Sequence, residues 1–372
     1  MSDPREVNAP SFANRWRPGT LARIIGHETA VTRLRGMIAS GKLPSAILIT
    51  GPTAAGKTTL ARAFATEVNG RPVAQQTDYK EINAGTTRGI DDMRELEKIS
   101  KFRPQSKRRF IVIDEVQSLL SNKAAAQSIL KPLEEPSPGT TWILCSMDPT
   151  KFGSGDGRAI ANRAKQFVLE PHSELELLKQ AARIARGESM DYVLDERRLI
   201  LKEVVRNCNG EMRTLANLME SLYDYHAGLD TKPRLLRKSD VTTVLSSTQS
   251  SDDQLAIQLL LAVYTGKYKM VVRCLLDVNE GFPFITKLLA ISRFYLSNMV
   301  LDGQRHSRVW ASGPAKEFMA QMNVLKIEPT LGSVALVHST LVEIRARAAT
   351  FAVGETDLLS SELYKLIKEL NR

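Results

Sequence analysis

Residues Ala46 to Thr58 read AILITGPTAAGKT, and this stretch decides the fold class. It starts as an apolar run, passes through a turn that begins and ends with glycine, and continues as a helical pattern to Val68. A short apolar run that does not alternate with polar residues is typical of a strand covered on both faces. The stretch therefore predicts a buried strand that leads through a tight turn into a helix.

Further apolar runs follow in the first 170 residues, at Phe110–Ile113, Thr141–Cys145 and Gln166–Leu169. The segments between the runs are long enough for helical connections. Strands that alternate with helices form a mostly parallel sheet. We therefore predict an α/β domain over residues 1–170.

After Pro171 the pattern becomes helical. Ser173 and Glu176 have the spacing of a capping box, which indicates the start of a helix. The small polar stretch Ser246–Gln254 indicates a linker, and everything beyond it has a helical pattern. We predict a small helical domain over residues 171–248 and a larger one over residues 249–372.

The composition excludes several classes of protein. A chain of 372 residues with 43% hydrophobic and 25% charged residues is typical of a globular protein and not of a disordered one. The sequence has no run near the roughly 18 apolar residues of a membrane span and no signal peptide, so we expect a cytoplasmic protein. Cys145, Cys208 and Cys274 lie far apart, which excludes a disulfide framework and a cysteine-based zinc site. The net charge of +10 fits a polyanionic partner or diffuse solubilising charge.

The turn after the first strand matches the phosphate-loop pattern G-x-x-x-x-G-K-S/T at every fixed position. Its backbone N–H groups and the start of the next helix would face an anion. Lys57 would reach the β- and γ-phosphates, and the Thr58 hydroxyl would bind Mg²⁺. The alternative is a glycine-rich turn that binds nothing. The predicted nucleotide-binding residues here are Gly51, Pro52, Thr53, Ala54, Ala55, Gly56, Lys57, Thr58 and Thr59.

Two acidic residues, Asp114 and Glu115, follow the buried run at Phe110–Ile113. They would lie at the carboxyl end of a strand, where open α/β sheets bind ligands. Asp114 suits the Mg²⁺ shell, and Glu115 suits the orientation or activation of a water molecule against the γ-phosphate. The pair could instead cap the next element. Together with the phosphate loop it predicts nucleotide hydrolysis, because the sequence shows no second substrate site of the kind a kinase needs.

Six motifs follow one another along the chain. They are Asn14–Pro18, Ile24–Glu28, Gly51–Thr58, Ile113–Gln117, Leu130–Pro136 and Met147–Lys151. Their order and spacing resemble the replicative clamp loader ATPase subunits, an AAA+ family that includes the bacterial tau/gamma subunit and the small subunits of replication factor C. The resemblance covers roughly residues 12–225, and beyond them it is one of size and helical character only.

The resemblance implies a nucleotide site completed by residues outside the phosphate loop. Arg17, Pro18, Ile24 and Ile25 match the segments that surround adenine in the family, although the isoleucines could also be simple core residues. A polar residue at the end of the third apolar run, called sensor 1, falls on Ser146 or Met147. Methionine cannot orient a water molecule, so a functional sensor 1 requires Ser146.

Two arginines match family positions that act on ATP. Arg163, in Asn162-Arg163-Ala164, corresponds to an arginine that reaches in trans into the ATP of the neighbouring subunit. Arg158 is a reserve candidate, because Gly153–Gly157 looks like an insertion that blurs the register. Arg213 corresponds to sensor 2, which contacts the nucleotide from the small helical domain. Each could instead be an ordinary surface charge.

The resemblance also places DNA contacts at the start of the helix that follows Ala84. Thr86, Thr87 and Arg88 match helix starts that follow the phosphate backbone in the family, and such contacts read no sequence. The basic stretch Lys101–Arg109 could contact DNA or form a solvated loop. The residues between the phosphate loop and the acidic pair lack the four-cysteine zinc module of bacterial tau/gamma.

The implied function is an ATP- and Mg²⁺-dependent subunit of a clamp loader, in a bacterial cell or a phage-infected host. Its partners would be the other subunits of a pentameric assembly, a ring-shaped sliding clamp and primer-template DNA, with residues 249–372 as the oligomerising collar. Two alternatives stay open: another AAA+ motor, such as a branch-migration helicase or a helicase loader, or a structural subunit of the same assembly. The intact Lys57, Thr58, Asp114 and Glu115 argue against the structural subunit.

Overall fold

The computed structural model describes residues 10–85, 90–121, 123–193, 195–208, 210–229, 235–248, 251–278, 281–301, 313–348 and 355–371. The chain divides into two compact units, Met1–Ile184 with Gly210–Glu220, and Ala185–Asn209 with Ser221–Arg372. The divisions fall within the segment predicted as the small helical domain. Parts of that segment are therefore grouped with each unit, and the three-domain organisation stays a prediction.

The first unit contains a five-stranded parallel sheet in the order β2-β3-β4-β1-β5, which confirms the predicted α/β class. The strand β2 was not predicted, because its sequence YKEIN has two adjacent charged residues and no continuous apolar run, as an edge strand allows. The four other strands overlap the four predicted apolar runs, and β5 ends one residue before the last run does. The strands are β1 Ala46–Thr50, β2 Tyr79–Asn83, β3 Arg109–Asp114, β4 Thr140–Ser146 and β5 Lys165–Val168.

Helices cover both faces of this sheet because the strand side chains alternate between the faces. Ile47 and Ile49 of β1 join one core with Phe64, whereas Ala46 and Leu48 join a second core on the other side. The first unit is therefore a three-layer α/β/α structure. Its helices are α1 Phe12–Arg15, α2 Glu28–Ala39, α3 Lys57–Asn69, α4 Ile90–Lys101, α5 Lys123–Glu134, α6 Gly155–Arg163, most of α7 Glu174–Gly187 and the first part of α9 Met212–Ala227.

The second unit is helical throughout its described elements, as predicted. Its core centres on Leu260, Phe284, Phe318 and Leu341. No helix described in the structure is long and apolar enough to cross a membrane. The helices of the second unit, besides the ends of α7 and α9, are α8 Arg197–Arg206, α10 Lys238–Thr248, α11 Ser251–Tyr264, α12 Tyr268–Leu276, α13 Gly281–Val300, α14 Gly313–Val324, α15 Leu331–Ala348 and α16 Glu355–Leu370.

The linker predicted at Ser246–Gln254 is wrong for the residues that the structure describes. Helix α10 continues to Thr248 and α11 begins at Ser251, so most of the stretch is helical. Acidic residues in the first turn favour a helix start, because they complement the helix dipole. Asp253 also pairs with Lys287 at 3.0 Å, which gives this polar segment tertiary contacts.

Replacing Gly157 by alanine is expected to lower the free energy of unfolding by about 1–3 kcal/mol. A Cβ atom at Gly157 would overlap the backbone carbonyl of Lys151, which cannot move as a flexible side chain does. The matched control is Gly36→Ala, at a position with open space within α2. We expect the control to stabilise the chain by about 1 kcal/mol. Denaturant unfolding of both variants would measure the difference, and equal effects would contradict the prediction.

Candidate nucleotide-binding site

A cavity lies where the sheet strands end at their carboxyl edges. The phosphate loop follows β1, Asp114 ends β3 and Met147 follows β4, so three neighbouring strands contribute to one wall. The cavity brings together most of the predicted nucleotide-binding residues. Its lining residues are Phe12, Ala13, Trp16, Arg17, Pro18, Ile24, Ile25, His27, Thr53, Ala54, Ala55, Gly56, Lys57, Thr58, Thr59, Leu60, Asp114, Glu115, Met147, His172, Gln180, Met212, Arg213 and Ala216.

The phosphate loop has the backbone that an anion site requires. Gly56 adopts a left-handed conformation with φ +92° immediately before α3, and Lys57 is the first residue of that helix. The Lys57 ammonium donates hydrogen bonds to the carbonyls of Gly51 at 2.8 Å and Pro52 at 2.7 Å. Burial lowers the pKa of Lys57. Phosphate oxygens would compete with these carbonyls for the ammonium.

The acidic pair meets the loop as predicted from its position after β3. The Thr58 hydroxyl donates to Asp114 Oδ2 at 2.6 Å, so a hydroxyl and a carboxylate converge on one point. Glu115 has a left-handed backbone with φ +54°, and its N–H donates to Asp114 Oδ1 at 3.0 Å. This conformation turns the chain sharply after the strand, and both carboxylates line the cavity.

Sequence reasoning missed Asn83, the last residue of β2. The Gly85 N–H donates to Asn83 Oδ1 at 2.7 Å, and a Cβ atom on Gly85 would contact both Asn83 Oδ1 and the Glu115 carboxylate. The side chains of Asn83 and Glu115 therefore both lie close to Gly85. A polar residue at the end of a neighbouring strand would have indicated this position. Because β2 was not predicted, Asn83 could not be placed at the end of a strand.

Arg17 lies half-buried at the cavity wall, in a cluster of charges. Arg62 forms two hydrogen bonds with Glu81, at 2.8 and 2.5 Å, and Tyr79 donates to the same carboxylate. Burial, together with the positive charges of Arg62 and Arg213, lowers the pKa of Arg17. An anionic ligand in the cavity would relieve this repulsion.

Ser146 is not brought to the cavity. It is fully buried at the end of β4, and its hydroxyl bonds with the backbone of Asp148, donating to the carbonyl at 3.2 Å and accepting from the N–H at 3.1 Å. The residue that lines the cavity is Met147, which is 45% exposed and lies near the Thr53 hydroxyl. The structure therefore places Met147, and not the Ser146 predicted as catalytic, beside the phosphate loop.

Comparisons with known proteins find similarity to subunits of replicative clamp loaders. The family described as DNA polymerase III, delta subunit, matches residues 26–172. The chain is 25% identical over 296 residues to the DNA polymerase III subunit tau/gamma of Haemophilus influenzae, covering 75% of this chain and 40% of that protein. It is 27% identical over 302 residues to the replication factor C small subunit of Methanothermobacter thermautotrophicus, covering 80% of this chain and 86% of that protein. These matches support a clamp-loader AAA+ subunit.

Solved structures share the AAA+ fold. RuvB of Thermotoga maritima, described as a Holliday junction branch migration motor, has a TM-score of 0.54 and 18% identity, covering 67% of this chain and 80% of that one. A point mutant of the same RuvB has a TM-score of 0.58 and 17% identity, covering 85% of this chain and 100% of that one. At this identity the likeness shows the fold alone.

The two arginines carried over from the clamp-loader family occupy different places. Arg213, the second residue of α9, lines the cavity. Arg163, the last residue of α6, is exposed and is not among the residues that line this cavity. It donates to Glu134 Oε1 at 2.7 Å and to the Ala159 carbonyl at 2.8 Å. The reserve candidate Arg158 is also exposed on α6.

The DNA residues predicted for a clamp-loader subunit, Thr86, Thr87 and Arg88, lie outside the described residues. The basic stretch 101–109 is not simply a solvated loop. Arg109 is buried, pairs with Asp78 at 2.9 Å and donates to the carbonyls of Ile99 and Phe102. Arg108 donates to backbone carbonyls at 3.0 and 3.1 Å and to the Thr141 hydroxyl. These two arginines hold the start of β3 in place.

Two histidines that sequence reasoning did not single out lie in the cavity wall. Their ring centroids are 4.7 Å apart, and His27 Nε2 donates to the Ala55 carbonyl at 2.8 Å. Glu176 Oε2 accepts from the Ser173 N–H at 2.8 Å, and the Glu176 N–H lies 3.3 Å from Ser173 Oγ, which confirms the predicted capping box. The two histidines therefore lie between the phosphate loop and the start of α7.

Lowering the pH from about 7 to about 5 is expected to lower the thermal stability of the chain. Burial lowers the pKa of His27, and burial together with the His27 ring lowers the pKa of His172 to about 4. An unfolded histidine binds its proton near about pH 6.5, so below that pH the unfolded state holds more protons and stability falls. Thermal unfolding across this range should show a smaller loss in His172→Leu than in wild type. An equal loss in both would contradict the assignment.

Proposed function

We propose that the chain is an ATP-hydrolysing subunit of a loader that opens a ring-shaped sliding clamp and places it on primer-template DNA. The observation that carries the proposal is the convergence of Lys57, Thr58, Asp114 and Glu115 on one cavity. The similarity to clamp-loader subunits supports the assignment of this ATP site to a loader. A subunit with only a structural role would not need all four side chains.

The donor atoms at this point fit Mg²⁺. The Thr58 hydroxyl and the Asp114 carboxylate are hard oxygen donors of the kind that Mg²⁺ takes in combination with phosphate oxygens. When bound, the ion would neutralise charge on the β- and γ-phosphates. Thr58 and Asp114 would hold the ion, and Lys57 would exchange the carbonyls of Gly51 and Pro52 for phosphate oxygens.

Glu115 is the residue proposed to orient and activate water. It lies directly after Asp114 and lines the same cavity, so a water molecule between its carboxylate and a γ-phosphate would be within reach. Arg17, Pro18, Ile24 and Ile25 would enclose the base and ribose, because apolar walls with a few polar groups are typical of nucleotide pockets. Ser146 has no part in this mechanism, because its hydroxyl bonds with the Asp148 backbone.

Hydrolysis would depend on assembly. Arg163 is not among the residues lining the cavity of its own chain, so in the proposed mechanism it acts on the ATP of a neighbouring subunit, where it stabilises charge on the transferring phosphoryl group. Arg213 stays with its own nucleotide. The assembly would be pentameric, with residues 249–372 as the collar and Thr86, Thr87 and Arg88 at the DNA backbone.

The second candidate is a branch-migration motor, favoured by the fold likeness to RuvB. The two functions differ in what stimulates the ATPase. A loader is stimulated jointly by its clamp and primed DNA, whereas a motor moves strands as it hydrolyses ATP and needs no clamp. The test measures ATP turnover with clamp and primed DNA added separately and together. More than additive stimulation supports the loader, and strand movement without a clamp supports the motor.

A further inference from the structure

The apolar part of the cavity wall contains two polar side chains that are more than nine-tenths buried. His172 is 3% exposed and Gln180 is 7% exposed, and both line the cavity. Gln180 Nε2 donates to the Trp16 carbonyl at 3.3 Å. Neither ring nitrogen of His172 has a hydrogen-bond partner among the described residues, and Nδ1 is fully buried. A buried polar group without a partner costs stability, so an imidazole among apolar residues points to a ligand.

The surroundings of His172 fix how its ring can act. The backbone N–H of His172 donates to the Gly210 carbonyl at 3.1 Å, which fixes the backbone at this residue. Nδ1 faces Glu176 Oε2 at 3.6 Å, too far for a good hydrogen bond but close enough for the carboxylate to favour a proton on Nδ1. In that tautomer Nε2 carries the lone pair and accepts hydrogen bonds.

His27 differs from His172 in its exposure and in its hydrogen bonds. A carbonyl only accepts, so His27 Nε2 must donate its proton to the Ala55 carbonyl of the phosphate loop. The His27 ring packs against the His172 ring at 4.7 Å and helps to hold it in place. His27 is only partly buried, whereas His172 is 3% exposed, so an unused ring nitrogen costs more free energy at His172.

We propose that His172 is a specificity residue that accepts a hydrogen bond from the exocyclic amino group of an adenine base. The inference rests on the proposed binding of ATP in this cavity. A 6-oxo purine would place a carbonyl against the lone pair of Nε2, and a purine without a 6-substituent would leave that lone pair unused. Both would bind more weakly, because the buried acceptor would have no partner.

The test combines changes at residue 172 with changes at the 6-position of the purine base. The dissociation constants of ATP, inosine triphosphate and purine riboside triphosphate are measured with wild type, His172→Leu and the matched control His338→Leu. His338 lies on α15 of the second unit. In wild type and control, removal of the amino group should weaken binding about tenfold. In His172→Leu the three constants should agree within about twofold.

The cycle separates a specific contact from a structural role. If His172 only supports the wall, His172→Leu weakens all three nucleotides by one factor and keeps their ratio, which overturns the inference. Should the leucine variant fold poorly, His172→Phe keeps an aromatic ring against His27 and removes both nitrogens, with the same expected loss of preference. Equal binding of all three nucleotides by wild type rejects the His172 contact alone. Binding of none of them rejects the proposed ATP site as well.

Discussion

Replacing Glu115 by glutamine is expected to lower the ATP turnover of the proposed loader assembly by about 10²- to 10⁴-fold. Glutamine keeps the shape of the side chain, so the turn after β3 and the hydrogen bond from the Glu115 N–H to Asp114 are retained. What is lost is the basicity of the carboxylate. Lys57, Thr58 and Asp114 are unchanged, so the affinity for ATP should stay within about threefold of wild type.

The matched control for this variant is Glu135→Gln, an exposed carboxylate that is not among the residues lining the cavity. It should turn over ATP like wild type. Steady-state turnover and nucleotide affinity are measured on the same preparations, because a fall in both would indicate misfolding and not loss of a base. Unchanged turnover in Glu115→Gln would show that another group activates the water molecule.

The phosphate loop and the acidic pair could be predicted from the sequence because both are local. Each consists of a buried strand followed directly by the residues proposed to act on the nucleotide, so the strand pattern fixes where those residues emerge. The parallel sheet then brings separate strand ends together at one edge. Thr58 and Asp114 are distant in sequence, yet their side chains are 2.6 Å apart.

The residues that sequence reasoning missed depend on contacts between distant segments. Strand β2 carries charged side chains that pair with α3, as Glu81 does with Arg62, so it lacks the continuous apolar run of a central strand. Without β2, Asn83 could not be placed beside Glu115. His27 and His172 meet only because the end of β5 leads the chain back to the loop before α2.

Register at the end of a strand is a different limit. Ser146 and Met147 are adjacent, so a shift of one residue exchanges a side chain in the cavity for one that is buried. From the sequence, sensor 1 could be either residue, and Ser146 was preferred because methionine cannot orient a water molecule. Hydrogen bonds between the Ser146 hydroxyl and the Asp148 backbone decide the matter, and such local turn contacts do not appear in a pattern of apolar residues.

Replacing Arg163 by alanine is expected to lower ATP turnover of the assembled loader by about 10³- to 10⁵-fold, the effect found when an arginine supplied in trans is lost. ATP binding by the isolated subunit should not change, because Arg163 is not among the residues that line its cavity. Arg163→Lys should restore little of the rate, because lysine lacks the planar fork that contacts two phosphate oxygens. Arg158→Ala tests the register, since the larger loss identifies which arginine of α6 acts on the neighbour.

The pair between Arg163 and Glu134 sharpens this test. Both side chains are partly exposed, so the 2.7 Å contact contributes only about 0–1 kcal/mol and a neighbouring phosphate can replace it. Glu134→Ala should therefore leave the folding stability of the isolated subunit nearly unchanged and keep hydrolysis in the assembled loader.

Mixing experiments test whether Arg163 acts on the ATP of its own subunit or on that of its neighbour. An Arg163→Ala subunit combined with a Glu115→Gln subunit should leave active only those sites whose own chain keeps Glu115 and whose neighbour keeps Arg163. These mixtures contain no wild-type chain, so if they show no ATP turnover, Arg163 acts within its own subunit and the trans assignment is wrong.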